Sequence, residues 1–354
     1  MLLSEEKINA LPQELQRAAT IPLHEGLYIE AGQRGFDLTG YLETLDPSPG
    51  NSELDAYERQ LALAGIRVHG DDADIVDRFF ASQESSVLFP EFVSRSVRIG
   101  YEDFTKLRAI LAERVKIDDN TYKSIYMDDS VFSTGEKSLA TVTEGASLPI
   151  IEIKTAEHTV TIKKYGRYLQ ATYEAIRRKR ISVVALFLRA IGIQLQRDKF
   201  QDAVDVLLNG DGNDNAAPAL NTKTTGSLVY ADLVDFVLSF DPYDLNVLLC
   251  NKATAAVLLN LTEVKDPAIS ADFRIQGENI RLFGAELIVD ESVPANKILG
   301  LDRRFALEEI YETGILTESE RLIRRQIEGT AISEVAGFAK VITAAAKALN
   351  LSWT

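Results

Sequence analysis

Val142-Thr143-Glu144-Gly145-Ala146-Ser147-Leu148-Pro149-Ile150-Ile151, then Thr159-Val160-Thr161-Ile162-Lys163-Lys164-Tyr165, then a long run closed by Leu207-Leu208-Asn209-Gly210-Asp211-Gly212: the reading of this stretch decides the fold. Ile151 with Ile153, and Val160 with Ile162, stand two residues apart, with Glu152, Lys154, Thr159 and Thr161 on the other face. That period of two marks extended chain with one apolar side. Ser182 to Leu208 changes to a period of three and four, with Val184, Phe187, Leu188, Ile191, Leu195, Val204, Leu207 and Leu208 on the apolar side. Arg189, Arg197, Asp198, Lys199, Gln201 and Asp205 supply the wet side. A helix over this span is about 40 Å long, and Gly210 stops it by tolerating a positive φ. An extended hairpin arm attached to a rod suits a chain whose arm lies across a neighbouring copy. An ordinary hairpin packed on its own domain fits the same alternation.

Working outward, the 354 residues suffice for two or three domains. Hydrophobic content of 46% and charged content of 26% are those of an ordinary globular protein. The longest apolar run, Ile181 to Ile193, is too short for a membrane span and contains Arg189. Met1-Leu2-Leu3-Ser4-Glu5-Glu6 lacks the basic start of a secretory signal. The single cysteine, Cys250, excludes an intrachain disulfide framework and reads as a buried thiol. The net charge of −15 argues against tight nucleic-acid binding, which needs Lys and Arg to displace counterions.

Residues 1–85 read as broken helix. Ser4 and Ser52 are candidate caps, and Gly65 is a candidate stop. The stretch from His24 to Gly50, with five glycines and two prolines, reads as a loop-rich arm. Asp74 to Ala81 is expected to be helical. Leu88-Phe89-Pro90-Glu91-Phe92-Val93 reads as a short apolar clamp ahead of the main domain. Phe104 to Ala112 is expected as a short helix and Thr121 to Met127 as β-rich. Beyond Ala231 the pattern becomes mixed α/β: helices at Asp232–Leu238 and Lys252–Leu259, and strands at Leu245–Cys250, Ile280–Phe283, Ala285–Val289 and Lys297–Leu301. Residues 305–343 read as largely β.

No constellation for catalysis emerges. Asp211, Asn213 and Asn215 copy the first positions of a calcium loop, but Ala216 and Thr222 stand where glycine and glutamate are needed. A polar turn explains them. Asp71, Asp72, Asp74 and Asp77 fit a helix start better than a metal site. His24, His69 and His158 lack ligand spacing. Gly135-Glu136-Lys137-Ser138 lacks the glycine a phosphate loop requires. Arg177-Arg178-Lys179-Arg180 is the only basic run, and reads as meeting acidic groups on a neighbouring subunit or facing solvent, with a DNA contact as the other reading. No catalytic residue, cofactor or metal is assigned.

The order Glu144–Pro149, Thr159–Tyr165, long helix, Leu207–Gly212 resembles that of tailed-phage major capsid proteins of the Hong Kong 97-type fold. The likeness covers roughly Tyr101 to Ala344. It implies an α+β fold in which an extended E-loop leads into a peripheral P-domain with a spine helix, followed by a central A-domain. Carried onto this chain, residues 1–100 are an N-terminal arm, with a scaffold-like helical segment as one reading. Residues 101–130 enter the P-domain, 131–161 are the E-loop, and 162–215 hold the P-domain with its spine helix. Residues 216–316 are the A-domain, and 317–354 return to the P-domain and end the chain. Glu144, Leu148, Pro149, Ile151, Ile153 and Val160 are then the intersubunit residues of the E-loop.

The implied function is structural. Copies assemble into pentamers, hexamers and an icosahedral head around double-stranded DNA, in the host bacterial cytoplasm and then in the virion. Portal, scaffolding and decoration proteins are implied partners, and a membrane is not. Some members of the family join subunits through a lysine before the proline that is Pro149 here. Leu148 occupies that place and has no amine, so no covalent cross-link is expected. Two other classes stay open: an encapsulin-like compartment holding a cargo enzyme, and a soluble α/β enzyme.

Overall fold

The computed structural model describes residues 21–24, 26–50, 52, 54–68, 70, 73–118, 121–127, 153–155, 158–172, 175, 177–265, 281–322 and 327–353. The chain divides into two compact units. One comprises Met1–Phe104, Gly166–Gln196 and Ile315–Glu334; the other comprises Thr105–Tyr165, Arg197–Gly314 and Val335–Thr354.

In the first unit the expected loop-rich arm is helical. Helices run over Gly26–Gln33 and Leu38–Leu45, and they bury Leu27, Ala31, Leu38, Tyr41 and Leu42. The glycines that suggested loop serve the helices. Gly35, at φ +74°, makes the turn between them. Gly40 donates its N–H to the capping carboxylate of Asp37 at 2.7 Å, and a Cβ there would press on that oxygen. The next helix, Ala56–Leu63, is capped by Asp55 in a reciprocal box with Glu58, and not by Ser52. Gly65 stops it as expected, at φ +66°. The helix expected over Asp74–Ala81 is only a 3-10 turn, Val76–Phe80.

The apolar clamp at Leu88–Val93 is in fact the start of a 16-residue helix, Leu88–Asp103. Pro90 does no harm there, because N–H groups in a first turn have no intrahelical acceptor. Phe79, Phe89 and Phe92 form a ring cluster with centroids 5.4–6.2 Å apart.

The long helix spans Ile181–Asn209, 29 residues, or about 44 Å. Gly210 ends it at φ +90°, with its N–H bonded to the Val206 carbonyl. In the first unit Ile181, Ala185 and Leu188 join one core with Leu88, Phe92, Val93 and Val97. Two glycines mark where the helices touch. A Cβ on Gly100 would fall on the Arg189 carbonyl, and one on Gly192 would fall on that of Val97. Their backbones are in direct contact.

The second unit contains a six-stranded mixed sheet. Its order is Ala219–Asn221, Ala346–Asn350, Lys297–Leu301, Val247–Cys250, Ala285–Val289, Arg281–Leu282. The central strand Val247–Cys250 is buried throughout, as its continuous apolar run predicts. Phe283 and Gly284, both with positive φ, form the two-residue hairpin turn that joins Leu282 to Ala285. The last strand, Ala346–Asn350, lies between Ala219–Asn221 and Lys297–Leu301. A four-stranded sheet has the order Glu113–Lys116, Leu307–Leu322, Ile327–Lys340, Ile162–Thr172. A two-stranded ribbon pairs Ile125–Met127 antiparallel with Ile153–Thr155.

Candidate self-assembly site

The expected arm is anchored at this ribbon. Met127 pairs with Ile153, so residues 128–152 leave and return at one point. The sequence reading gave Ile153 an apolar face in common with Ile151, Val160 and Ile162 but no pairing partner. Alternation gives the face of a strand but not its partner. Glu144, Leu148, Pro149 and Ile151 lie outside the described residues.

Val160 is placed against its own chain, which corrects its expected intersubunit role. It is 4% exposed and packs with Ile310 and Ala339. Its N–H donates to the Tyr122 carbonyl at 2.9 Å. Near the ribbon, Ser124 Oγ lies 3.3 Å from both Glu308 Oε1 and the Lys340 carbonyl. Burial pushes the Glu308 carboxyl up. Burial, with Glu308 beside it, pushes the Tyr122 phenol to about 12.

The rod is fixed to the strands by polar groups, one of which, Lys199, the sequence assigns to solvent. Lys199, expected on the wet face, is fully buried. Its ammonium donates to Glu309 Oε1 at 2.5 Å, and Arg114 meets the other Glu309 oxygen at 3.3 Å. Asp202 accepts from Tyr165 at 2.5 Å and pairs with Lys163 at 3.0 Å. A charge at helical spacing can lie beneath an unseen strand, and the sequence holds no signal for that.

The turn at Asp211 is a staple. Its carboxylate accepts from the N–H and the side-chain amide of Asn213 and from the N–H of Lys340. Lys340 in turn donates its ammonium to the Leu207 carbonyl at 3.2 Å. Among the described residues no group of three or more His, Cys, Asp or Glu could hold a metal ion. Cys250 is fully buried, and burial pushes its thiol to about 12. Arg177 of the basic run lies over the Phe80 ring and 3.8 Å from Asp77 of its own chain.

The long helix also carries an apolar strip that its own unit leaves uncovered. Val183, Leu186 and Phe187 are 42%, 64% and 70% exposed. They follow three-and-four spacing, so they share a face. The sequence reading placed Phe187 inward; it points out. Exposed apolar side chains clustered on one face offer a surface for interaction. No helix among the described residues is long and apolar enough to cross a membrane.

Residues 155–350 match the family model described as phage capsid protein. The chain belongs to that family. This phage capsid protein has the Hong Kong 97-type α+β fold and is a structural shell protein, a capsid component of a virion. No curated protein matches it. Among solved structures, the capsid of an empty GTA particle is 16% identical with a TM-score of 0.52, over 71% of this chain and 90% of that one. A structure from Microbacterium phage Oxtober96 is 10% identical with a TM-score of 0.49, over 70% and 90%. The SrpI encapsulin complex from Synechococcus elongatus PCC 7942 is 11% identical with a TM-score of 0.46, over 71% and 89%.

Proposed function

We propose that this capsid protein forms pentamers and hexamers that close into an icosahedral head around double-stranded DNA. Assembly takes place in the cytoplasm of a bacterial host, with portal, scaffolding and decoration proteins as further partners. The observation that carries the reading is the ribbon Ile125–Met127/Ile153–Thr155, which sends out and recovers residues 128–152 at a single anchor. In this proposal residues 131–161 are the E-loop, and Glu144, Leu148, Pro149, Ile151 and Ile153 meet the next subunit. Residues 101–130 and 162–215 belong to the P-domain. Residues 216–316, which include most of the six-stranded sheet, form the A-domain at the capsomer centre. The exposed strip Val183, Leu186 and Phe187 adds a second contact surface between copies. Many weak contacts repeated by symmetry then hold the shell. With net charge −15 the protein encloses DNA without gripping it.

Electron microscopy of the purified full-length protein tests this directly. Closed shells of uniform size are expected, and the assembled subunit runs as a single monomer band on a denaturing gel because Leu148 cannot cross-link. Small discrete oligomers under all conditions would contradict the reading. Shells holding a co-purified enzyme in place of DNA would convert it to the encapsulin-like compartment.

A further inference from the structure

We infer that residues Ile21 to Phe104 are a permanent domain of the subunit, carried into the finished particle, and not a removable arm or transient scaffold. The inference rests on the shell reading only for the word particle. Its physical content concerns the single chain.

The first observation is a shared core. Leu88, Phe92, Val93 and Val97 are buried in one cluster with Ile181, Ala185 and Leu188 of the long helix and with Ile332. A cut that freed the N-terminal residues would open the covered face of the rod to water. Exposing that many packed apolar side chains is strongly unfavourable.

The second is the fit between the two helices. Gly100 and Gly192 each lack a side chain where the other helix's backbone arrives, at Arg189 and Val97 respectively. Such reciprocal close approach is a fixed seat between elements packed as tightly as a crystal. It differs from the adaptable contact of a part that must leave. Polar pairs flank it: Arg189 meets Asp103 at 2.5 Å, and Tyr101 donates to Glu334 at 2.9 Å.

The third is the start of the long helix. The Ile181 N–H donates to the Asp74 carbonyl at 2.9 Å, and the Val76 N–H donates to the Lys179 carbonyl at 2.9 Å. The first N–H groups of a helix have no acceptor inside it. Here the N-terminal segment supplies one. Residues 74–76 therefore help to terminate the rod as well as to cover it. The consequence is that the face Ile181, Ala185 and Leu188 has its partner in the same chain. A separate scaffolding protein or a sister subunit is left the opposite strip, Val183, Leu186 and Phe187.

The test has two arms. Peptide mapping of DNA-filled particles should recover peptides covering Gly26–Asp103 in the same molar ratio as peptides covering Val247–Leu301. A mature subunit that begins beyond Phe104 would overturn the inference. In the second arm the unassembled full-length subunit is exposed briefly to a nonspecific protease. Residues 26–103 and 181–196 should become digestible together. An early cut in 74–104 that leaves a stable remainder starting beyond Phe104 would overturn the inference whether or not shells form. Joint digestion in a protein that never forms shells would support it and count against the capsid reading alone.

Discussion

Two faces of the same helical turns behave in opposite ways. Ile181, Ala185 and Leu188 are covered by the N-terminal helices of their own chain, while Val183, Leu186 and Phe187 stand open to solvent. Both faces are apolar, and composition does not tell them apart. The difference is what the rest of the chain brings to them. One face holds the subunit together; in the proposed shell the other is left for copies.

Changing the covered face should have the largest effect on stability. Leu188→Ala should destabilise the isolated subunit by about 2–4 kcal/mol through lost burial and a residual cavity. Denaturant titration reads this as a lower midpoint. An unchanged midpoint would mean that the face is not the seat of the N-terminal domain.

Gly192→Ala should cost about 1–3 kcal/mol through overpacking. In an exposed helix the same change would gain about 1 kcal/mol of helix propensity. The Val97 carbonyl in the way belongs to backbone and cannot rotate aside, so the overpacking wins. A stabilised Gly192→Ala variant would show that the two helices do not touch.

A smaller effect concerns Glu91, on the helix that covers the rod. Burial is the main cause of its carboxyl being raised from 4.5 to about 6. A folded value above the unfolded one means that the folded state holds the proton more tightly. Its contribution is therefore present below about pH 4.5 and lost as pH rises through about 6. The charged form costs ~2 kcal/mol at neutral pH. Glu91→Gln should flatten the fall in melting temperature between pH 4.5 and 6 and should not destabilise the subunit at pH 7.5. Thermal unfolding at several pH values checks it; identical pH profiles for the two proteins would refute it.

How much of this was legible follows from element length and from partners. The long helix was read to within one residue at each end, because eight turns repeat the apolar period many times over. Lys252–Leu259, Ala285–Val289 and Lys297–Leu301 were read with their bounds as found. Helices of eight residues, such as Gly26–Gln33 and Leu38–Leu45, have two turns and little period to display; tertiary packing forms them. Strand direction was legible at Ile153 and Val160, and pairing was not, since pairing joins segments far apart in sequence. Lys199 and Phe187 were both assigned by residue type, and both were reversed by what lies or does not lie above them. Of the proposed contact residues, Ile153 sits at the anchor of the ribbon and Val160 belongs to the chain's own core.

The sharpest test of the two-face account is Phe187→Glu, followed by sedimentation and electron microscopy beside the unaltered protein. Phe187 is 70% exposed, so the substitution should move stability by no more than about 0.5 kcal/mol. The account predicts a subunit that melts like the parent and no longer closes into shells. Closed shells formed as readily as by the parent protein would contradict it.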